Sequence, residues 1–105
     1  MHDHWATYHY DVWDSRPAEG FSVSSSIRLW ETPGHTPQDI STLLETDSGV
    51  VVFTHLWAYA AGPPEDRLAT DPAALHAGRQ RVLEVASLIV PGHGPAFVPD
   101  AETPR

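Results

Sequence analysis

Short apolar runs separated by polar turns follow one another along most of this chain and predict a strand-rich fold. Residues 27–31 (IRLWE) and 39–46 (DISTLLET) alternate between apolar and polar positions, as half-buried strands do. Residues 50–54 (VVVFT) are almost wholly apolar, and the Asp-Ser-Gly turn before them predicts a hairpin with the preceding strand. Residues 88–90 (LIV) predict a last, buried strand.

One helix is predicted between the third and fourth strands, in the stretch DPAALHAGRQRVLEVA. Asp71 is a suitable N-cap, and Pro72 fits the first helical position because its missing N–H has no partner there. An apolar side is formed by Leu75, Val82, Leu83 and Ala86. The order strand, strand, strand, helix, strand predicts a layered α/β domain over residues 27–98, between an irregular segment at 1–26 and a disordered tail at 99–105.

Composition excludes several classes of function. The 105 residues allow one domain, and the absence of cysteine excludes disulfides and thiolate metal sites. The net charge is −8, lysine is absent, and the six arginines are scattered, which argues against binding to nucleic acid. No apolar stretch is long enough to span a membrane, and the first residues do not resemble a secretion signal. We therefore expect a cytoplasmic protein with no membrane association.

Three of the seven histidines share a local context that suggests a metal site. His35, His55 and His93 each follow a short apolar strand, and Pro-Gly precedes two of them. Loops at one edge of a sheet can bring such side chains together, and three imidazoles suit zinc with a fourth position left for water. Each histidine has a simpler interpretation as a solvated loop residue, and His55 could instead hydrogen-bond to the backbone.

The other four histidines carry no comparable signal. His76 lies within the predicted helix, and we expect no chemical role for it. His2, His4 and His9 lie in the aromatic N-terminal segment, where we expect them to be solvated or disordered.

The combination of TPGHT at residues 32–36 and IVPGHGPAF at 89–97, around a strand–strand–helix–strand unit, resembles the C-terminal half of the metallo-β-lactamase-fold hydrolases. The second stretch is similar in particular to the branch of metallo-β-lactamase-domain-containing protein 1 and its bacterial relatives. The resemblance implies an αββα sandwich with one or two zinc ions. It also implies a small-molecule substrate whose ester, amide or phosphodiester-type bond is attacked by a metal-bound hydroxide.

By this resemblance, His35 ligates the first metal and His93 the second. His55 stands where most members have an aspartate that bridges both metals. A neutral imidazole offers one lone pair and cannot bridge, so the resemblance implies a mononuclear or asymmetric site here. Thr36 and Asp39 are candidates for holding the ligands in place through hydrogen bonds. Asp39 could equally be an ordinary turn residue.

A second departure is the HxHxDH motif of the family's N-terminal half, which this sequence lacks. Only Asp3-His4 in MHDHW matches its last two residues. A half-sandwich exposes an apolar sheet face, which predicts a homodimer or a complementing N-terminal half. Two alternative functions follow: a truncated or degenerate, non-catalytic fragment that acts only through association, and an RNA endonuclease by family analogy, which the acidic charge opposes.

Overall fold

The computed structural model describes residues 17–105, which form four strands and one helix. The elements are β1 (Ile27–Glu31), β2 (Ile40–Thr46), β3 (Gly49–Thr54), α1 (Pro72–Leu83) and β4 (Ala86–Pro91). The predicted order is confirmed, and the strand boundaries differ from the predicted ones by two residues at most. Within this part of the chain, no helix is long and apolar enough to cross a membrane.

The strands form one mixed sheet in the order β1-β2-β3-β4. The first three strands pair antiparallel, whereas β4 runs parallel to β3. A parallel pair requires a crossover connection, and α1 supplies it. Because Thr54 at the end of β3 is paired with Pro91 at the end of β4, the loops after these strands leave the sheet at the same edge.

The core lies between one face of the sheet and α1. The strand register aligns Leu43, Val52 and Ile89 across this face, and all three are fully buried. The helix contributes Leu75 and Val82, as its apolar periodicity predicts. Burying one side chain of this size contributes about 1.5–3 kcal/mol, so this cluster supplies much of what holds α1 on the sheet.

The opposite face of the sheet carries apolar side chains that remain accessible. The register places Leu29, Phe53 and Val90 in one row on this face. Phe53 is 43% exposed, and Ile40 beside it is 45% exposed. A second, partly apolar surface is therefore available for a covering element.

Residues 99–105 differ from the disordered tail that the sequence predicts. The indole Nε1 of Trp57 donates to the carbonyl of Pro104 over 2.8 Å, and Thr103 is buried. The ring Nδ1 of His76 donates to the carbonyl of Arg105 over 2.7 Å, so this histidine has a structural contact. These contacts connect residues 99–105 to the rest of the fold, because a buried indole requires a hydrogen-bond acceptor and the tail provides it.

Residues 17–26 contain no helix or extended strand and run beside β1. The amide of Gly20 donates to the carbonyl of Leu29, and the amide of Leu29 donates to the carbonyl of Phe21. The predictions for His2, His4 and His9 fall outside the described residues.

Candidate functional site

A cleft of about 500 Å³ lies at the sheet edge where β3 and β4 end. All three histidines singled out from the sequence line it, together with both candidate supporting residues, Thr36 and Asp39. The rest of its wall combines apolar side chains with Asp66 and Arg79. The loops after β1, β3 and β4 thus contribute to one concave surface.

His55 and His93 lie next to each other because the parallel strands that precede them end together. Their ring centroids are 6.1 Å apart, and the ring planes are within 11° of parallel. Gly92 permits this arrangement: a Cβ at that position would lie 2.3 Å from Cδ2 of His55 and 2.5 Å from its Nε2. The side chain of His55 is 53% exposed and faces the cleft.

His35 is held by a carboxylate that the sequence did not reveal. Its Nδ1 lies 2.5 Å from Oδ2 of Asp66. The other carboxylate oxygen accepts a hydrogen bond from the amide of Leu68 over 2.9 Å. Burial acts to raise the pKa of Asp66, but the hydrogen bonds from His35 and Leu68 outweigh it, so this pKa lies below its ordinary value.

The backbone around His35 is fastened to the residues that begin α1. The carbonyl of Gly34 accepts from the amide of Asp71 over 2.9 Å, and the carbonyl of His35 accepts from the amide of Thr70 over 3.3 Å. Gly34 has a φ of 148°, and a Cβ there would lie 2.5 Å from Cα of Leu75. Only glycine allows the loop to approach the helix this closely.

Asp39 closes the loop that carries His35 and also faces His55. It accepts from both the amide and the hydroxyl of Thr36, over 3.0 and 2.8 Å. Its Oδ1 is 3.6 Å from Nδ1 of His55, which is too far for a hydrogen bond. The hydrogen bonds with Thr36 agree with the interpretation of Asp39 as a turn residue. Its position beside His55 agrees with the interpretation as a support near a histidine.

Arg79 is the second residue that sequence reasoning missed. Its side chain is fully buried, and its guanidinium donates to the carbonyls of Leu56, Pro63 and Pro64 over 2.8, 2.9 and 3.3 Å. It also lies 5.4 Å from the ring centroid of Trp57. Burial lowers its pKa, although the charge of Asp66 opposes this effect.

Three buried hydroxyls connect the starts of the two loops that carry His35 and His55. Ser41 lies 2.7 Å from the hydroxyl of Thr32 and donates to that of Thr54 over 2.8 Å. Thr54 in turn accepts from the amide of Leu56 over 3.2 Å. Thr32 precedes the His35 loop and Thr54 directly precedes His55, so this chain of hydrogen bonds fixes the two loops relative to each other.

The side chains of the cleft fit part of a metal-ligand set. They offer imidazole and carboxylate donors, the types that zinc and iron accept. However, no three histidine or acidic side chains within residues 17–105 lie close enough together to hold one metal ion. His55 and His93 form one pair, and His35 with Asp66 forms another. That the three histidines share a metal therefore stays a prediction.

Comparison with curated proteins finds relatives that contain a metallo-β-lactamase domain, although no family model matches the chain. It is 38% identical over 79 residues to metallo-beta-lactamase domain-containing protein 1 of Mus musculus and 41% identical over 79 residues to that of Homo sapiens. Each match covers 71% of this chain and 30% of the relative. The protein of the same name from Xenopus laevis is 34% identical over 101 residues, with 91% of this chain and 43% of the relative covered.

Solved structures agree with this assignment. An AiiA variant of B. thuringiensis with N-decanoyl-L-homoserine bound at its active site gives a TM-score of 0.54 at 25% identity, with 70% of this chain and 33% of that chain covered. TTHA1623 in a di-iron-bound form gives a TM-score of 0.61 at 25% identity, with 83% and 44% covered.

The chain belongs to the metallo-β-lactamase-fold superfamily. Its sequence similarity points to metallo-beta-lactamase domain-containing protein 1 within that superfamily, and the chain spans about a third of the length of the mouse and human relatives.

Proposed function

We propose that this chain forms one side of the active site of a metal-dependent hydrolase, with His35, His55 and His93 as its metal ligands. The observation that carries the proposal is that these three histidines, from three separate loops, line a single cleft. The chemistry of the donors favours zinc, although iron suits the same ligand types, as the di-iron form of TTHA1623 illustrates. A metal ion held there would supply Lewis-acid activation of water and of the bond to be cleaved.

The proposed site is mononuclear or asymmetric. His55 occupies the position at which the family resemblance implies a bridging aspartate, and an imidazole has one lone pair to give. The rings of His55 and His93 are neighbours, whereas the ring of His35 is hydrogen-bonded to Asp66. We expect the remaining ligands to come from residues outside 17–105 or from a partner polypeptide.

The cleft wall favours a small, largely apolar substrate. Trp57 and Leu56 form its buried apolar wall, and Tyr59 is 48% exposed beside them. Arg79 offers little to an anionic substrate because its guanidinium already donates to three carbonyls. We propose a neutral ester or amide as the substrate in preference to a phosphodiester. An RNA endonuclease gains no support, because Asp39 and Asp66 would repel a polyanion.

The experiment is a metal analysis of purified protein after removal and readdition of zinc, combined with assays on generic nitrophenyl esters and phosphodiesters. The wild type should retain about one metal per chain, and His35→Ala and His93→Ala should each lose most of it. His76→Ala is the matched control, because His76 lies on α1 with its ring bonded to the tail. Equal metal content in all four proteins would refute the proposal.

A second candidate function is a non-catalytic module that acts by association, and the accessible sheet face favours it. Phe53 and Ile40 expose apolar surface on the side of the sheet opposite the core. We propose that this face binds either a second copy of the chain or a complementing N-terminal half. Sedimentation of the wild type and Phe53→Ser separates the two functions: association without metal supports the module, and a monomer with metal supports the hydrolase.

A further inference from the structure

We propose that Asp66 is a positioning residue for His35, which fixes the orientation of the imidazole and keeps its proton on Nδ1 so that Nε2 presents its lone pair to the cleft. This role of Asp66 rests on the proposed function in one respect only, which is the identity of the ligand that Nε2 binds. The orientation and the tautomer can be measured without any metal.

The hydrogen bond between His35 and Asp66 has a defined direction. Nδ1 of His35 is 2.5 Å from Oδ2 of Asp66, and an ionised carboxylate can only accept. Nδ1 must therefore carry the hydrogen. In a neutral imidazole the other nitrogen, Nε2, is then the one with a free lone pair, which is the form that ligates a metal or accepts a proton.

The carboxylate of Asp66 is itself held in place. Its side chain is only 15% exposed, and its second oxygen accepts from the amide of Leu68 over 2.9 Å. Both carboxylate oxygens thus have a defined partner. A carboxylate fixed in this way orients the ring it binds, as carboxylates behind metal-ligating histidines commonly do.

The loop that carries Asp66 is anchored to the helix α1. The guanidinium of Arg79 binds the carbonyls of Pro63 and Pro64, three and two residues before Asp66. Arg79 lies on the same apolar side of α1 as Leu75, so its position follows that of the core. The packed helix therefore determines, through the loop, where the carboxylate meets His35.

His55 provides an internal comparison. The carboxylate of Asp39 lies 3.6 Å from His55 and already accepts a hydrogen bond from Thr36. The geometry thus assigns a fixed tautomer to His35 and no such constraint to His55. This difference fits a site in which His35 is preformed and His55 adjusts.

The test is nitrogen-detected NMR of the imidazoles in the metal-free protein at about pH 9, where imidazole is uncharged. His35 of the wild type should populate the Nδ1–H tautomer almost exclusively. Asp66→Ala should give a mixture of both tautomers, and Asp66→Asn should partly restore the wild-type pattern because its amide oxygen can still accept. Glu65→Ala, which removes an exposed carboxylate one residue away, should change nothing.

Metal titration of the same variants separates this inference from the proposed function. Asp66→Ala should weaken zinc binding by about 10–100-fold, the usual effect of removing such a partner, without changing its stoichiometry. An unchanged tautomer of His35 in both Asp66 variants would overturn the inference. A changed tautomer in a protein that binds no metal would uphold the inference and count against the hydrolase.

Discussion

Replacing Arg79 with methionine should destabilise the protein far more than replacing an exposed arginine of the same helix, because Arg79 is fully buried on its apolar side. Methionine retains much of the aliphatic volume and removes the guanidinium. The carbonyl of Leu56 then loses a charged donor in a buried place, which costs about 1.5–3 kcal/mol. The carbonyls of Pro63 and Pro64 are partly accessible to water, so each loses roughly 0.5–1.5 kcal/mol.

Relief of the desolvation of the guanidinium offsets part of this loss. We expect the free energy of unfolding to fall by about 2–4 kcal/mol, a large share of the stability of a domain this small. The melting temperature should fall by roughly 10–25 °C.

The assay is thermal and urea unfolding followed by circular dichroism, with Arg81→Met as the matched control. Arg81 lies on the same helix, but it is partly exposed, pairs with Glu19 and stacks 3.8 Å above the ring of Trp30. Losing these contacts should cost only about 0.5–1.5 kcal/mol. If the two variants unfold within about 0.5 kcal/mol of each other, Arg79 does not hold the loop as described.

Three further predictions concern the cleft, the buried hydroxyls behind it and the exposed ion pair between Glu19 and Arg81. Gly92→Ala should displace the ring of His55 and weaken zinc binding by about tenfold in calorimetry, with little change in urea unfolding. An unchanged zinc affinity would contradict the close contact between Gly92 and the ring of His55. Ser41→Ala should cost about 1–3 kcal/mol in urea unfolding because two buried hydroxyls lose a partner, and a cost below about 0.5 kcal/mol would show that water replaces it. The hydrogen bond from Arg81 lowers the pKa of Glu19. The contribution of this pair to the free energy of unfolding is therefore present above the ordinary glutamate pKa and is lost as the pH falls through the pKa of Glu19 in the folded protein. Glu19→Gln should therefore lower stability by a few tenths of a kcal/mol at pH 7 and not at about pH 2; a deficit of equal size at both would argue against this pair.

The elements of the fold could be predicted from the sequence because each has a strong local signal. The alternation in residues 39–46 marks one buried face, and the cap formed by Asp71 with Pro72 marks where α1 begins. The parallel pairing of β3 and β4 follows from the helix between them, since such a connection has to cross over.

The cleft could be predicted only in part. His35 and His93 follow Pro-Gly after a strand, and this context placed them correctly at the sheet edge. Asp66 could not be found, because it is 31 residues from its partner in a loop without a motif. The role of Arg79 is weakly indicated by the sequence. It lies at helical spacing from Leu75 and Val82 on the apolar side of the helix, where a charged side chain requires buried hydrogen-bond partners.

The contacts of residues 99–105 could not be predicted from the local sequence either. The composition of this tail is polar and rich in turn formers, which favours disorder locally. Its order comes from long-range contacts, above all the indole of Trp57 bound to the carbonyl of Pro104. A local pattern carries no information about such a partner.

A zinc titration of the metal-free protein, with every imidazole observed by NMR, decides whether the three histidines of the cleft share a metal. The ring nitrogens of His35, His55 and His93 should respond together and saturate at the same zinc-to-protein ratio, while His76 should not respond. If these three rings remain unaffected, or if each responds at a different zinc concentration, the cleft is not a metal centre of this kind.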